Sequence, residues 1–322
     1  MADLAEWRLD DPAAIDEADP GSMLRQVASS AAQVRSALLA TQETDFGELV
    51  AAGRPRAIVV AGMGGSGIAG DVLAAVCGTG SAVQVVSVHG YQLPGWVSAA
   101  DLVIAVSCSG STEETLAAAE EAVRRGCRLV GAGAAASPLG ALAEQARAPF
   151  VPVRSAGMPR STLWGLSVPL IGVAERFGLC EAGPEAYEAA AVALEAISQR
   201  CRPDSDSFVN PAKGLALELA GRLPMIWGTS PLAGVAAYRF SCQLNENAKC
   251  PAVQGVLPEA NHNQVVALDG PFAPGRDGAE PAVPLHLVLL ADAQEHPQVA
   301  KRRAASRLRP FELSGILGRP ND

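Results

Sequence analysis

Two polar clusters interrupt the apolar second half of the sequence: Asn245-Glu246-Asn247-Ala248-Lys249 and Glu259-Ala260-Asn261-His262-Asn263. Moving a proton between adjacent carbons of a small molecule needs a carboxylate near both carbons. It also needs polar groups for the oxygens that take up charge and a second acid or base. Glu246 between two asparagines and His262 between two asparagines supply those residue types. Amide neighbours orient a carboxylate without adding charge, although Lys249 lies close enough in sequence to add some. Taken singly, Glu246 also reads as a solvated helix residue, and His262 as a cap in an Asn-rich turn.

Two loops in the first half are built to hold something small and anionic. Gly62-Met63-Gly64-Gly65-Ser66-Gly67 follows an apolar run and matches the dinucleotide fingerprint G-x-G-x-x-G. That fingerprint also requires an acid about 20 residues on for the ribose. No Asp or Glu lies between Asp71 and Asp101, and no Lys or Arg between Arg56 and Arg124, so neither form of dinucleotide is provided for. The absence of a Lys after the glycines excludes a Walker loop. The second loop, Ser107-Cys108-Ser109-Gly110-Ser111-Thr112, carries four hydroxyls ahead of a helix pattern. Such a loop reads either as an ordinary helix start capped by Ser111 or Thr112, or as an anion cradle of backbone N–H groups. Two of them after successive strands favour a small phosphorylated ligand.

The elements that position these loops alternate. Residues 57–61, 83–88, 102–106 and 128–131 read as short apolar strands, and 68–76, 112–125 and 138–146 as helices, which is the pattern of a covered parallel sheet. Residues 1–52 read as a helical cap, 161–177 and 185–200 as helices, and 201–211 as a Pro-bounded loop. Pro224 to Gly234 then repeats the strand, small-residue turn and helix of 58–67. Residues 270–284 read as a surface loop, 285–291 as the last strong strand and 297–308 as an Arg-rich helix. The chain has 322 residues, 49% apolar but only 4% aromatic, so its cores are expected to be made of Ala, Val, Leu and Gly in α/β layers. A net charge of −9 argues against nucleic acid or an anionic membrane as partner. No apolar run reaches the 18 or so residues of a bilayer span, the start is acidic, and seven cysteines without a C-x-x-C pair suit a reducing compartment. The expectation is a cytoplasmic protein with no metal and no cofactor.

The pair Gly-Gly-Ser-Gly and Ser-x-Ser-Gly-x-Thr-Glu-Glu-Thr resembles the sugar isomerase (SIS) fold. Asn-Glu-Asn-Ala-Lys followed by Pro-Glu-x-Asn-His-Asn narrows that resemblance to the bifunctional phosphoglucose/phosphomannose isomerases, over residues 56 to about 305. The resemblance implies two three-layer α/β/α subdomains with parallel sheets under an N-terminal helical segment: 1–55, 56–180 and 181–322. It implies that Gly65, Ser66, Ser107, Ser109 and Thr112 hold the phosphate of a sugar phosphate. By the same resemblance Glu246 shuttles the proton between C1 and C2, His262 assists ring opening across a homodimer interface, and Arg160, in Met158-Pro159-Arg160, stabilises the enediolate. The implied reaction interconverts glucose 6-phosphate or mannose 6-phosphate with fructose 6-phosphate.

Cys108 and Ser111 stand where an aromatic and an Asn are commoner, without removing a needed hydroxyl. The family also continues into a terminal helix bearing an active-site Lys. Here Lys301 is the last lysine, beside Arg302 and Arg303 on an expected solvated face, and it is not assigned that role. The expectation is therefore of a chain short at its C-terminus. A non-catalytic, sugar-phosphate-binding regulatory protein stands as the alternative to the isomerase.

Overall fold

A computed structural model describes residues 6–154, 157–272, 283–306 and 313–317. In chain order its helices are α1 (Pro12–Ala18), α2 (Met23–Ala28), α3 (Ser30–Glu43), α4 (Gly47–Ala51), α5 (Gly65–Cys77), α6 (Glu113–Arg124), α7 (Pro138–Gln145), α8 (Leu163–Arg176), α9 (Pro184–Arg200), α10 (Pro211–Leu219), α11 (Pro231–Gln243) and α12 (Pro297–Ser306). The strands are β1 (Ala57–Ala61), β2 (Gln84–Val88), β3 (Leu102–Ser107), β4 (Arg128–Gly133), β5 (Phe150–Pro152), β6 (Leu223–Gly228), β7 (Val253–Val256), β8 (Leu285–Ala291) and β9 (Leu313–Leu317). Short 3-10 turns occupy Pro159–Ser161 and Glu259–Asn261, and a π-helical turn extends α11 over Leu244–Ala248.

The chain divides into two compact units. Asp19–Gln199 forms one, around a parallel sheet ordered β2-β1-β3-β4-β5. Its central strands β1 and β3 are buried throughout because alternate residues enter different cores. Ile58, Val60, Ile104 and Val106 pack toward Val34, Leu73, Leu166 and Leu170 of α3, α5 and α8. Val59, Ala61, Val103 and Ala105 pack toward Ala118, Ala119, Ala122 and Leu139 of α6 and α7. Small residues let the helices lie close in a core poor in aromatics. A Cβ on Gly70 of α5, for instance, would lie 2.8 Å from the Val60 Cβ.

The other unit joins the N-terminal segment through Ala18 to the chain from Arg200 onward. Its parallel sheet runs β7-β6-β8-β9. Ile226 and Val288 face Leu219 of α10 and Ala237 of α11, while Trp227, Leu287 and Leu289 cluster with Val299 of α12. Lys213, only 8% exposed, fastens the N-terminal segment. Its ammonium reaches Asp10 at 3.1 Å and the carbonyls of Pro203 and Ser205 at 2.8 and 2.7 Å.

These boundaries differ from those expected at 55 and 180. Helices α2 to α4 and α9 belong with the first sheet: Tyr187 and Ala191 of α9 enter its core, and Arg35 of α3 grips Glu188 at 2.6 Å and Glu195. Three short strands also escape the sequence pattern. β5 and β7 have three and four residues, too few for a periodic signal. The third corrects the expectation that 285–291 is the last strand, because β9 pairs in parallel with β8 after α12. The expected loop at 270–284 and the end of the helix at 297–308 fall largely or partly outside the described residues. Among those described, no helix is long and apolar enough to cross a membrane.

Candidate active site

In the first sheet, β1 and β3 are neighbours, and the chain leaves them in opposite directions across the sheet. The crevice at their carboxyl ends is the topological switch point, where open parallel sheets bind ligands. Both small-residue loops emerge there. Cys108 N–H donates to Ser66 Oγ at 3.3 Å, tying one loop to the other. Ser107, 1% exposed, accepts from Gly110 N–H at 3.0 Å and shares a 2.9 Å hydrogen bond with Thr112 Oγ1. Ser109 stays exposed and accepts from Ser111 N–H and its hydroxyl at 3.3 and 3.1 Å. Gly110 has φ +67°, and a Cβ there would lie 2.0 Å from Ser137 Oγ, so only glycine lets the loop nest against α7.

The capping reading of this loop does not hold. Thr112 is the N-cap of α6, yet its side chain makes no cap hydrogen bond and turns to Ser107 instead. The N-cap of α5 is Gly64, which has no side chain to offer. Both helices thus begin without a side-chain acceptor on their first N–H groups. Side-chain caps are present on α7 (Ser137), α10 (Asn210) and α11 (Ser230), and are missing from α2, α3, α4 and α8 as they are from α5 and α6. The buried Thr115 hydroxyl, in the first turn of α6, also has no hydrogen-bond partner in the structure. At α5 the N–H groups of Ser66 and Gly67 already donate to the Met63 carbonyl at 3.0 and 3.3 Å, so what that helix offers an anion is Gly65 N–H, the Ser66 hydroxyl and its dipole. With the hydroxyls and helix start of the second loop these are the equipment of a phosphate site.

Arg160 lies in the same unit, half-buried in the 3-10 turn Pro159–Ser161 ahead of α8. That turn packs against α5 and is pinned from the other side: Met158 N–H and Ser161 Oγ donate to Gln26 Oε1 at 2.6 and 3.1 Å, and Gln33 Nε2 donates to Ser161 O at 2.8 Å.

Glu246 and His262 lie in the second unit, and the fold does not bring them together. Helix α11 starts at the carboxyl end of β6 and runs back along the sheet. Glu246, in the π-turn that ends it, therefore sits toward the amino ends of the strands. His262 caps the 3-10 turn Glu259–Asn261 beyond the carboxyl end of β7, and is exposed. Lys249 closes the π-turn at φ 56° and donates to the Glu246 carbonyl at 2.6 Å. π-turns of this kind recur at functional sites because the extra residue re-aims a side chain. Around His262, Asn263 bridges Glu259 Oε1 at 3.0 Å and Gln264 N–H at 2.6 Å, and Gln264 accepts from the indole of buried Trp227 at 2.6 Å.

One charged neighbour escaped sequence reasoning. Arg239 is half-buried on α11, and burial pushes its guanidinium pKa down while the charge of Glu246 pulls it up. The seven-residue spacing, two helical turns on one face, was the available signal. Lys301 and Arg302 are exposed as expected, but Arg303 is half-buried and bonded to both Glu295 oxygens at 2.9 and 3.1 Å. Among the described residues no group of His, Cys, Asp and Glu is arranged to hold a metal ion.

Comparison with known proteins places the two sheets separately and together. Residues 54–149 match the SIS domain, and 208–308 match the bacterial phospho-glucose isomerase C-terminal SIS domain. A bifunctional phosphoglucose/phosphomannose isomerase of Caldicellulosiruptor bescii is 32% identical over 265 residues, which cover 82% of this chain and 75% of that protein. One of Thermoplasma acidophilum is 36% identical over 215 residues, or 66% and 62%. The C-terminal domain of glucosamine-fructose-6-phosphate aminotransferase from Francisella tularensis shares the fold at TM-score 0.68 with 13% identity, covering 92% of this chain and 83% of that one. This chain belongs to the bifunctional phosphoglucose/phosphomannose isomerase family of SIS-domain proteins.

Proposed function

We propose that this chain is a sugar-phosphate aldose–ketose isomerase, interconverting glucose 6-phosphate and mannose 6-phosphate with fructose 6-phosphate. The observation that carries the reading is the pair of uncapped helix N-termini at adjacent strand ends, tied by the Ser66–Cys108 hydrogen bond. Gly65, Ser66, Ser107, Ser109 and Thr112 hold the phosphate through hydroxyls and backbone N–H groups. His262 moves a proton to or from the ring oxygen and opens the ring. Glu246 then removes the C2 proton of the open aldose; the C–H electron pair becomes the C1=C2 bond and charge passes to O1. The C2-hydroxyl proton then passes to O1 and leaves the charge on O2. Arg160 stabilises the enediolate, and as the C2=O bond forms the C1=C2 electron pair takes the proton back from Glu246 at C1.

Because Glu246 and His262 lie at opposite ends of their own sheet, one copy of the chain does not offer both to a single sugar. The reading therefore includes a homodimer in which each site takes its histidine from the partner. A coupled assay for fructose 6-phosphate, run separately with glucose 6-phosphate and mannose 6-phosphate, tests the function. Turnover of either supports it. Sugar-phosphate binding by thermal shift with no turnover would instead favour a non-catalytic, regulatory protein.

A further inference from the structure

We propose that His89 is an additional phosphate-binding residue, acting through Nε2 at the mouth of the Gly62–Gly67 loop; this rests on the function proposed above. His89 directly follows β2, which flanks β1 on the side away from β3, so three adjacent strand ends deliver His89 and the two loops to one edge of the sheet. Its Nδ1 lies 3.0 Å from the Gly62 carbonyl oxygen. A carbonyl only accepts, so Nδ1 carries the hydrogen. The Nδ1–Cε1 edge of the ring lies against Gly67, where a Cβ would come within 2.5 and 2.6 Å of those two atoms. Nε2, bonded to Cε1, is the next atom beyond that edge, at the first turn of α5, and the residue is exposed.

Sequence and anchoring both give this placement a purpose. His89 is the one basic side chain in residues 57–123, the stretch that holds both phosphate loops. With Nδ1–H committed to a carbonyl, Nε2 is the ring nitrogen left for a phosphate oxygen, to which it donates in the imidazolium form. The segment after it is held firmly. Glu121 accepts from Leu93 N–H at 2.8 Å, Arg125 donates to the carbonyls of Pro94 and Val97 at 2.8 and 3.1 Å, and Arg56 donates to Trp96 O at 2.7 Å. Tyr91 reaches the other loop's helix, where the charges of Glu114 and Glu113 push its phenol pKa up. Residues 89–91 thus span from the Gly62 loop to the start of α6 as a third wall of the site.

Two isosteric substitutions separate anchoring from binding. Asn places its amide nitrogen where Nδ1 stands, and Gln places one near Nε2. Fructose 6-phosphate affinity is measured by isothermal titration calorimetry, with thermal unfolding of each unliganded variant as control. H89N should keep the wild-type Tm and bind about tenfold to a hundredfold more weakly, as for one lost hydrogen bond to a charged group. H89Q should recover most of that affinity. H89N binding as tightly as wild type would overturn the inference while leaving the proposed function intact. A Tm loss in H89N with H89Q equally weak would overturn it too, by assigning His89 to the turn alone. Wild type failing to bind fructose 6-phosphate would remove both.

Discussion

The turn from β1 into α5 and the turn from β6 into α11 are built alike and finished differently. Each follows a buried strand of a parallel sheet, passes through small residues and enters a 13-residue helix. At α11, Ser230 accepts from Ala233 N–H at 3.0 Å and its hydroxyl donates to the carboxylate of Asp292, which follows β8. The helix end is spent on its own chain, with an acid lying against it. At α5 the corresponding place holds Gly64, and the nearest hydroxyl, Ser66, is tied to the next loop. The repeated unit therefore leaves its helix without a side-chain cap in one sheet, as the proposed phosphate site requires, and makes a closed structural joint in the other. A motif of strand, small-residue turn and helix says where a phosphate could bind; the cap decides whether it does.

The largest expected effect falls on chemistry and leaves the phosphate loops untouched. Glu246→Gln should lower kcat by about a thousandfold, within the usual range for removing a general base. The thermal shift caused by fructose 6-phosphate should be retained. Gly110→Ala should come next, because a side chain at φ +67° must also displace Ser137. Unfolding in urea should show a loss of about 2–4 kcal/mol, and sugar-phosphate binding should weaken with it.

A third test concerns the opposite ends of the same strands. Asp101, fully buried, pairs with Arg56 at 2.6 Å and accepts from Ser98 N–H at 2.8 Å, fastening the amino ends of β3 and β1. Burial pulls its pKa up, but the Arg56 guanidinium and the Ser98 amide outweigh it and hold the carboxyl below its usual range. A folded pKa below the unfolded one, about 3.9, gives stability that is present at neutral pH and lost as pH falls through the folded value. Asp101→Asn should be less stable at pH 7 by about 2–3 kcal/mol, and the gap from wild type should narrow in urea melts toward pH 3. The smallest effect separates the two turns directly. Ser230→Ala should cost about 1 kcal/mol of stability and leave sugar-phosphate affinity unchanged. Thr112→Val should do the reverse, weakening that affinity about tenfold with little change in Tm.

Residue type and spacing made the first sheet and its loops legible because the apolar runs of β1 and β3 and the β-branched β2 alternate there with clear helices. The polar pairs around Glu246 and His262 were legible for a different reason: amides and a carboxylate are unusual company in an apolar stretch. What the sequence concealed depends on geometry over distance. That Thr112 turns to Ser107 and leaves α6 uncapped is a rotamer choice, and that α9 belongs with the first sheet is decided by Tyr187 and Arg35. The opposite placement of Glu246 and His262 follows from the direction of α11, which sixteen residues of separation could not reveal. β9 was concealed because its pairing with β8 is made across α12.

The proton transfer itself is open to direct observation. Fructose 6-phosphate incubated with the protein in D2O and followed by NMR should yield aldose phosphate carrying solvent deuterium at C2, and E246Q should bind the same sugar without exchange. Bound fructose 6-phosphate that never acquires deuterium from the wild-type protein would contradict the isomerase account.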